Sequence, residues 1–426
     1  MLIRAEIVGI LTVVTRQACR MDLRRWCFSL VLLLFGTVAC SSRPTAPSPG
    51  PTEGASDNLR VALYPYVPRL QQFKDVLQRS WRHPDIGLEF VDWDGYSSDP
   101  PADLDVFVFD AIFFDHFVAK GYLSPIPRER IVDIDDFLPY AIEGSQIDGT
   151  HYAIPQLGCA SLLFYRDGDQ ELARARTLED IENALGNCTY LEEQPPPGVG
   201  LMIDMSGGTT NASYYIEAQQ DLAHAYTPTP ALPTAEKLDP AVVAQLERVL
   251  ALASMANATY ENDDHPYQRA AWFADGAGRA TVGFTESMSV MGEARDRVDF
   301  KPLPLDGQPD ISLFYSDLIG VNSTINDPKE REAAFELANL LASRAYLVAS
   351  FGPGSANSPQ YLMPVRDSVF QELGQSFPLY REMRQMVESV QPRLFRLGPS
   401  ARSWLEGQKS AIRARIQAEP HCKAGS

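Results

Sequence analysis

The sequence predicts an α/β fold built on a parallel sheet, and three observations predict it. Short apolar runs at 59–63 and 104–109 have strand length and follow one another through a helical segment. Strand, helix and strand at that spacing need the crossover connection that parallel strands require. Later segments carry paired helix-start signals, Asp239 with Pro240 and Asp327 with Pro328. The bulk figures agree. The 426 residues are 45% apolar and 22% charged, ordinary for globular chains and enough for about two or three domains. A wholly disordered, fibrous or multi-span membrane protein is excluded.

The elements follow in order. After the strand at 59–63, Leu70, Phe73, Leu77 and Trp81 recur at one face of a helix. Residues 88–93 alternate as a second strand, 104–109 form a third, and Gly121 stops the helix after it. Asp239 and Asp327 each offer a short acceptor side chain to unpaired N–H groups, and the Pro that follows wastes no donor. Val242, Leu246, Val249 and Ala253 make the first of these helices amphipathic; Ala334, Leu337 and Leu341 make the second so. The runs 193–200 and 227–233 read as loops by their Pro and Gly content. No repeat of 20–50 residues is present.

The N-terminus reads as an export leader over 1–39. Arg24 and Arg25 precede the apolar stretch FSLVLLLF at 28–35, too short to span a membrane comfortably. TVAC at 37–40 resembles a lipoprotein cleavage box with Cys40 as the lipidated residue, although Thr37 stands where Leu is usual. An ordinary cleaved signal or a short anchor are the other readings. Met21 offers a second start, which would make 1–20 an extension. Residues 40–57 are rich in Ser, Pro and Gly and form a tether. The expected location is therefore outside the cytoplasm: lipid-anchored to the cell envelope, or periplasmic or secreted without the lipid. Export permits a disulfide, and Cys188 and Cys422 are the expected pair, leaving Cys159 free.

With 37 basic and 55 acidic residues, the net charge is −18. Such a chain suits a cationic or neutral ligand and is a poor partner for nucleic acid or anionic lipid. There is no P-loop, dinucleotide fingerprint, zinc-binding pattern or Gly-x-Ser-x-Gly elbow, so neither metal nor organic cofactor is expected.

Two residues carry reactive chemistry. Cys159 ends the apolar segment that starts at Tyr152 and is interrupted by Pro155 and Gly158. It is either a nucleophile or a small buried hydrophobe. Glu286 stands at the end of an apolar run, 280–284, where it would serve as a base for a thiol or simply start a helix. Aromatic and acidic residues also recur after the presumed strands: Tyr64 and Tyr66, Asp94 and Tyr96, Asp110, then Tyr315 and Asp317 after a strand at 311–314. Rings and carboxylates together suit a flat cation. SGGTT at 206–210 precedes a helix and reads as a plain helix start, with anion binding the alternative.

Taken together, VALYPY (61–66), DWDGY (92–96), DVFVFD (105–110), PQLGC (155–159), GGTT (207–210), Trp272-Phe273, ESM (286–288), FYSD (314–317) and FRLGP (395–399) resemble the bacterial thiaminase I family from about residue 58 to 405. The resemblance implies the two-lobed, type II periplasmic-binding-protein-like fold with a central cleft. It implies lobes of 58–156 plus 318–355 and of 157–317 plus 356–426, with three crossings. It implies that Cys159 attacks the pyrimidine of thiamine, that Glu286 activates it, and that the thiazole leaves before an amine or thiol takes the pyrimidine. Tyr64, Tyr96, Asp110, Tyr267, Tyr315 and Asp317 fall at family positions lining the cleft. Phe284 departs from the family pattern, which has Tyr there, and removes a hydroxyl from that wall. A monomer is usual for this fold. The alternative is an exported solute-binding lipoprotein for thiamine, a pyrimidine or another small ligand.

Overall fold

A computed structural model describes residues 58–259, 267–307, 311–418 and Cys422. The expected leader, Cys40 and the tether lie outside the described residues.

In chain order the first strands are β1 (Asn58–Ala62), β2 (Gly87–Phe90) and β3 (Val106–Asp110), followed by a small hairpin of β4 (Gln146–Ile147) and β5 (Thr150–His151). Next come β6 (Ile154–Cys159), β7 (Leu162–Arg166), β8 (Pro197–Met202), β9 (Gly278–Gly283) and β10 (Val298–Pro302). The last are β11 (Ile311–Val321), β12 (Met363–Pro364) and β13 (Gln391–Leu394). They form two main sheets. The larger has the order β12-β6-β11-β3-β1-β2, with β13 also on β11; the smaller has the order β10-β7-β9-β8.

The expected parallel unit is present, since β1 pairs in parallel with both β2 and β3. Its crossover helix, Leu70–Ser80, buries Phe73, Val76 and Leu77. Most of the rest of the larger sheet departs from the parallel expectation, although β13 pairs in parallel with β11. β11 runs antiparallel between β3 and β6 and makes the sheet mixed. Pro155 is tolerated inside β6 because β12 pairs only with Leu157 and Gly158, so the missing N–H breaks no ladder on that side.

Start and stop signals act as chemistry requires. Asp239 accepts from the Ala241 N–H at 2.8 Å, and Asp327 accepts from Lys329 and Glu330 at 2.7 and 3.1 Å. Gly121 sits at φ 73°, a left-handed position suited to glycine, just beyond the helix Phe114–Ala119. Two strand expectations need correction. The expected loop at 193–200 ends early: residues 197–200 open β8, whose pairing shifts register between Pro197 and Leu201, with Gly198 and Gly200 at positive φ. The strand at 311–314 does not end there. It continues to Val321, so Tyr315 and Asp317 lie within a strand rather than after one.

The chain leaves the larger sheet for the smaller between β6 and β7, across Ala160 and Ser161, and returns between β10 and β11. β12 joins the edge of the larger sheet, and the helix Asp367–Ser376 packs on the helix Arg344–Phe351. The C-terminal helix Ala401–Ile416 instead packs on Gly208–Ala223 and Pro240–Leu250. Cys188 and Cys422 are joined by a disulfide, and Cys159 is the free cysteine among the described residues. Among the described residues no helix is long and apolar enough to cross a membrane.

Candidate active site

Three neighbouring strands carry the centre of the site. β6 ends at Cys159, which faces Tyr315 of β11 in register. Two residues further along β11, Asp317 faces Asp110, the last residue of β3. Side chains two apart on a strand share a face, so this register puts a thiol, a phenol and two carboxylates on one surface. Gly158 is required by its neighbours: a Cβ there would overlap the Tyr140 hydroxyl and the Met363 methyl.

The loops after β1 and β2 add an aromatic wall. The Tyr64 and Tyr96 rings meet the edges of the Tyr66 ring at centroid distances of 5.5 and 5.6 Å. The Tyr96 hydroxyl donates to Asp110 Oδ2 at 2.5 Å, while Asp110 Oδ1 accepts from the Ile112 N–H. Of the two tyrosines in the VALYPY segment, Tyr64 is the half-buried one and feels Asp317 and Asp110; Tyr66 is 53% exposed and donates to Asp94. Asp94 itself accepts from the Tyr96 N–H and the Ser97 hydroxyl, so it shapes the turn. Arg402 fixes the same turn from the C-terminal helix, donating to the carbonyls of Gly95, Tyr96 and Ser98.

The smaller sheet supplies the third side. β9 delivers the chain to Phe284 and then to a short 3-10 turn, Thr285–Val290, that carries Glu286. Tyr267 stands at the start of the helix Gln268–Ala274 and interacts with both Glu286 and Cys159. Phe284 is exposed, its ring 6.3 Å from Tyr315. The structure thus brings all eight expected residues, Cys159, Glu286, Tyr64, Tyr96, Asp110, Tyr267, Tyr315 and Asp317, into one cluster.

Its electrostatics are one-sided. Burial pushes Glu286 up to about 7, against weaker opposing bonds from its own N–H and Thr285. Burial raises Asp110 to about 6 and raises Asp317 well above the carboxylate range, the latter helped by Asp110 and Glu286. Asp317 Oδ2 is buried with no hydrogen-bond partner. The Cys159 thiol is raised by burial first, then by Glu286, Asp317, Asp110 and Glu217. A thiol so placed rests protonated and needs a base to become a nucleophile. Glu286, at about 7, lies in the range of a group able to accept protons near neutral pH. Among the described residues no three side chains are placed to hold a metal ion.

Sequence reading missed Glu217. It sits inside the helix Gly208–Ala223, buried, and accepts from the Tyr315 hydroxyl at 3.1 Å. The available signal was an acid in the apolar run ASYYIEA at 212–218. SGGTT does not precede this helix but opens it: Gly207 is the N-cap and Gly208, Thr209 and Thr210 lie in the first turn.

Residues 160–306 match the model of the Thiaminase-1 domain family. Over 366 residues the chain is 40% identical to thiaminase-1 of Paenibacillus thiaminolyticus, covering 85% of this chain and 89% of that one. The structure superposes on Clostridium botulinum thiaminase I in complex with thiamin with a TM-score of 0.82 and 40% identity, covering 84% of this chain and 100% of that chain. A solute-binding protein of Agrobacterium vitis S4 with bound D-mannitol, 17% identical, shares the fold alone, with a TM-score of 0.61 over 85% of this chain and 93% of its own. The expected two-lobed binding-protein fold is therefore present.

Proposed function

The chain belongs to the thiaminase-1 family, and from that premise we propose how this thiaminase-type transferase uses its site. Thiamine is the substrate. Glu286 takes the proton from Cys159, and the sulfur bonds to the pyrimidine. The bond from the methylene to the thiazolium nitrogen then breaks, and the thiazole leaves neutral with the electron pair. An amine or thiol co-substrate bonds to the methylene and yields its proton to the site as the sulfur departs as thiolate. A sulfur that both attacks and leaves well suits this double displacement.

The remaining residues have physical roles in the same scheme. Asp110 and Asp317 face the pyrimidine and steer its protonation. Tyr64, Tyr96, Tyr267 and Tyr315 line the ring's walls, and the uncompensated acids attract the thiazolium. The chemistry needs no metal or organic cofactor. The protein acts as an exported monomer, held by a lipid on Cys40 or released. The lobes, centred on the two sheets and divided near 156, 317 and 355, close over the substrate to exclude water.

One observation supports this reading above the others: Cys159 and Tyr315 are cross-strand partners beside the Asp110–Asp317 pair, with Glu286 acting on the thiol from the other sheet. The test follows both halves of thiamine by mass spectrometry in the presence of an aromatic amine. The expected result is a pyrimidine–amine product in wild type and none with Cys159→Ser, a loss of at least about a thousandfold. Product from the Ser variant would remove Cys159 as nucleophile. Reversible binding without turnover in both proteins would restore the solute-binding alternative.

A further inference from the structure

Resting on that reading of Cys159, we propose that Glu217 is a positioning residue for the transfer: its carboxyl ties the Tyr315 phenol and the Ser161 hydroxyl together and so fixes the Cys159 sulfur against its substrate. The geometry carries this. A single oxygen, Glu217 Oε2, accepts from Tyr315 Oη at 3.1 Å and from Ser161 Oγ at 3.5 Å. Tyr315 lies on β11 in register with Cys159, and Ser161 stands two residues beyond Cys159 where the chain crosses to β7. Glu217 therefore bonds both to the strand that pairs with Cys159 and to the link that follows it.

The acid is costly where it sits. It is 5% exposed, and the groups acting on it are Asp221, Tyr315 and Ser161, with no cation among them. A leucine would fill similar space without that cost. Burial, reinforced by Asp221, raises Glu217 to about 8, so near neutral pH it is a neutral acceptor rather than a charge. Glutamine reproduces that state: one oxygen accepts and the amide replaces the acid O–H.

The experiment compares Glu217→Leu and Glu217→Gln, measuring kcat, KM and thermal stability, with Tyr315→Phe as the partner of a double-mutant cycle. Leu is expected to lower kcat about 10–100-fold with KM within about threefold, because misplacement of a reacting atom costs rate. Gln recovers most of that loss. In the Tyr315→Phe background Leu costs little more, since its main bond is already gone. Leu with wild-type kcat, Gln no better than Leu, or losses that add in the cycle would each overturn the proposal. If Leu does not fold, Tyr315→Phe with Ser161→Ala removes the same bonds from the other side, and an undiminished kcat there is equally fatal. A wild type whose product does not depend on Cys159 sinks the nucleophile itself; an active wild type with an indifferent Glu217→Leu sinks only this inference.

Discussion

Asp110 and Asp115 belong to one short segment and are both buried, 8% and 4% exposed, yet they are treated in opposite ways. Asp115 is held by the Arg396 guanidinium through two hydrogen bonds. Asp99 is also paired: burial would raise it, but His116, Tyr122 and Arg402 together hold it below its ordinary value. Asp110, Asp317, Glu286 and Glu217 have no cation among the groups acting on them, and all four are raised. The fold can place arginines beside buried acids and does so where the acids join elements together. In the proposed mechanism the thiazolium supplies the positive charge to Asp110, Asp317 and Glu286, while Glu217 stays neutral. Of these acids the paired ones tie elements together as a frame and the unpaired ones gather around Cys159; Asp221, raised to about 7 by burial and likewise without a cation, lies one turn beyond Glu217 on the same helix.

The sharpest way to break that distinction is Glu286→Gln. If Glu286 is the base, kcat/KM falls about 10²–10⁴-fold. The pH profile carries the sign. A base works when ionised, so kcat/KM in wild type rises with pH through about 7, and the limb is absent in the variant. A bound thiazolium favours the carboxylate, so the corresponding limb of kcat lies at lower pH than that of kcat/KM. A variant that keeps the limb would assign it to another group.

Arg396→Met tests the frame. It leaves the Asp115 carboxylate buried without its partner, a change that costs about 3–5 kcal/mol. Urea unfolding measures that loss, while kcat, measured without denaturant where the unfolding curve shows the variant folded, stays at the wild-type value. A stable variant with impaired kcat would place Arg396 with the site instead.

Legibility in the sequence divides along a similar line. β1, β3, the helix Leu70–Ser80 and the Asp239 and Asp327 caps could be read because each follows from residues within one or two turns. The full length of β11 could not. Tyr315, Ser316 and Asp317 break its apolar run, and the strand persists there because β3 and β6 pair on its two sides. Cys159 and Glu286 could be picked out as candidate reactive groups, but not as neighbours, because their proximity depends on how β9 pairs with β7 in the second sheet. Their roles entered through family resemblance. Glu217 stayed hidden because an acid in an apolar helix looks the same whether it meets water or, as here, a tyrosine from a strand about 100 residues on.

The smallest effect expected is also the one that separates frame from site most directly. Asp317 is 5% exposed, its Oδ2 has no hydrogen-bond partner, and burial, then Asp110 and Glu286, oppose its ionisation. Its folded pKa lies above the ordinary 3.8. The folded protein therefore suffers no penalty below that value and loses stability as pH rises through the folded pKa. Asp317→Asn removes the penalty, so it should stabilise by about 1–2 kcal/mol at pH 8 and close to nothing near pH 4, while activity falls. Thermal unfolding at the two pH values measures the difference. An equal gain at both would mean better packing rather than relieved charge. A loss of stability at pH 8 would mean that Asp317 has a partner in the frame. The expected sign, stability gained as activity is lost, is the opposite of that for Arg396→Met, because one substitution deletes a charge awaiting the substrate and the other deletes the charge that completes a pair.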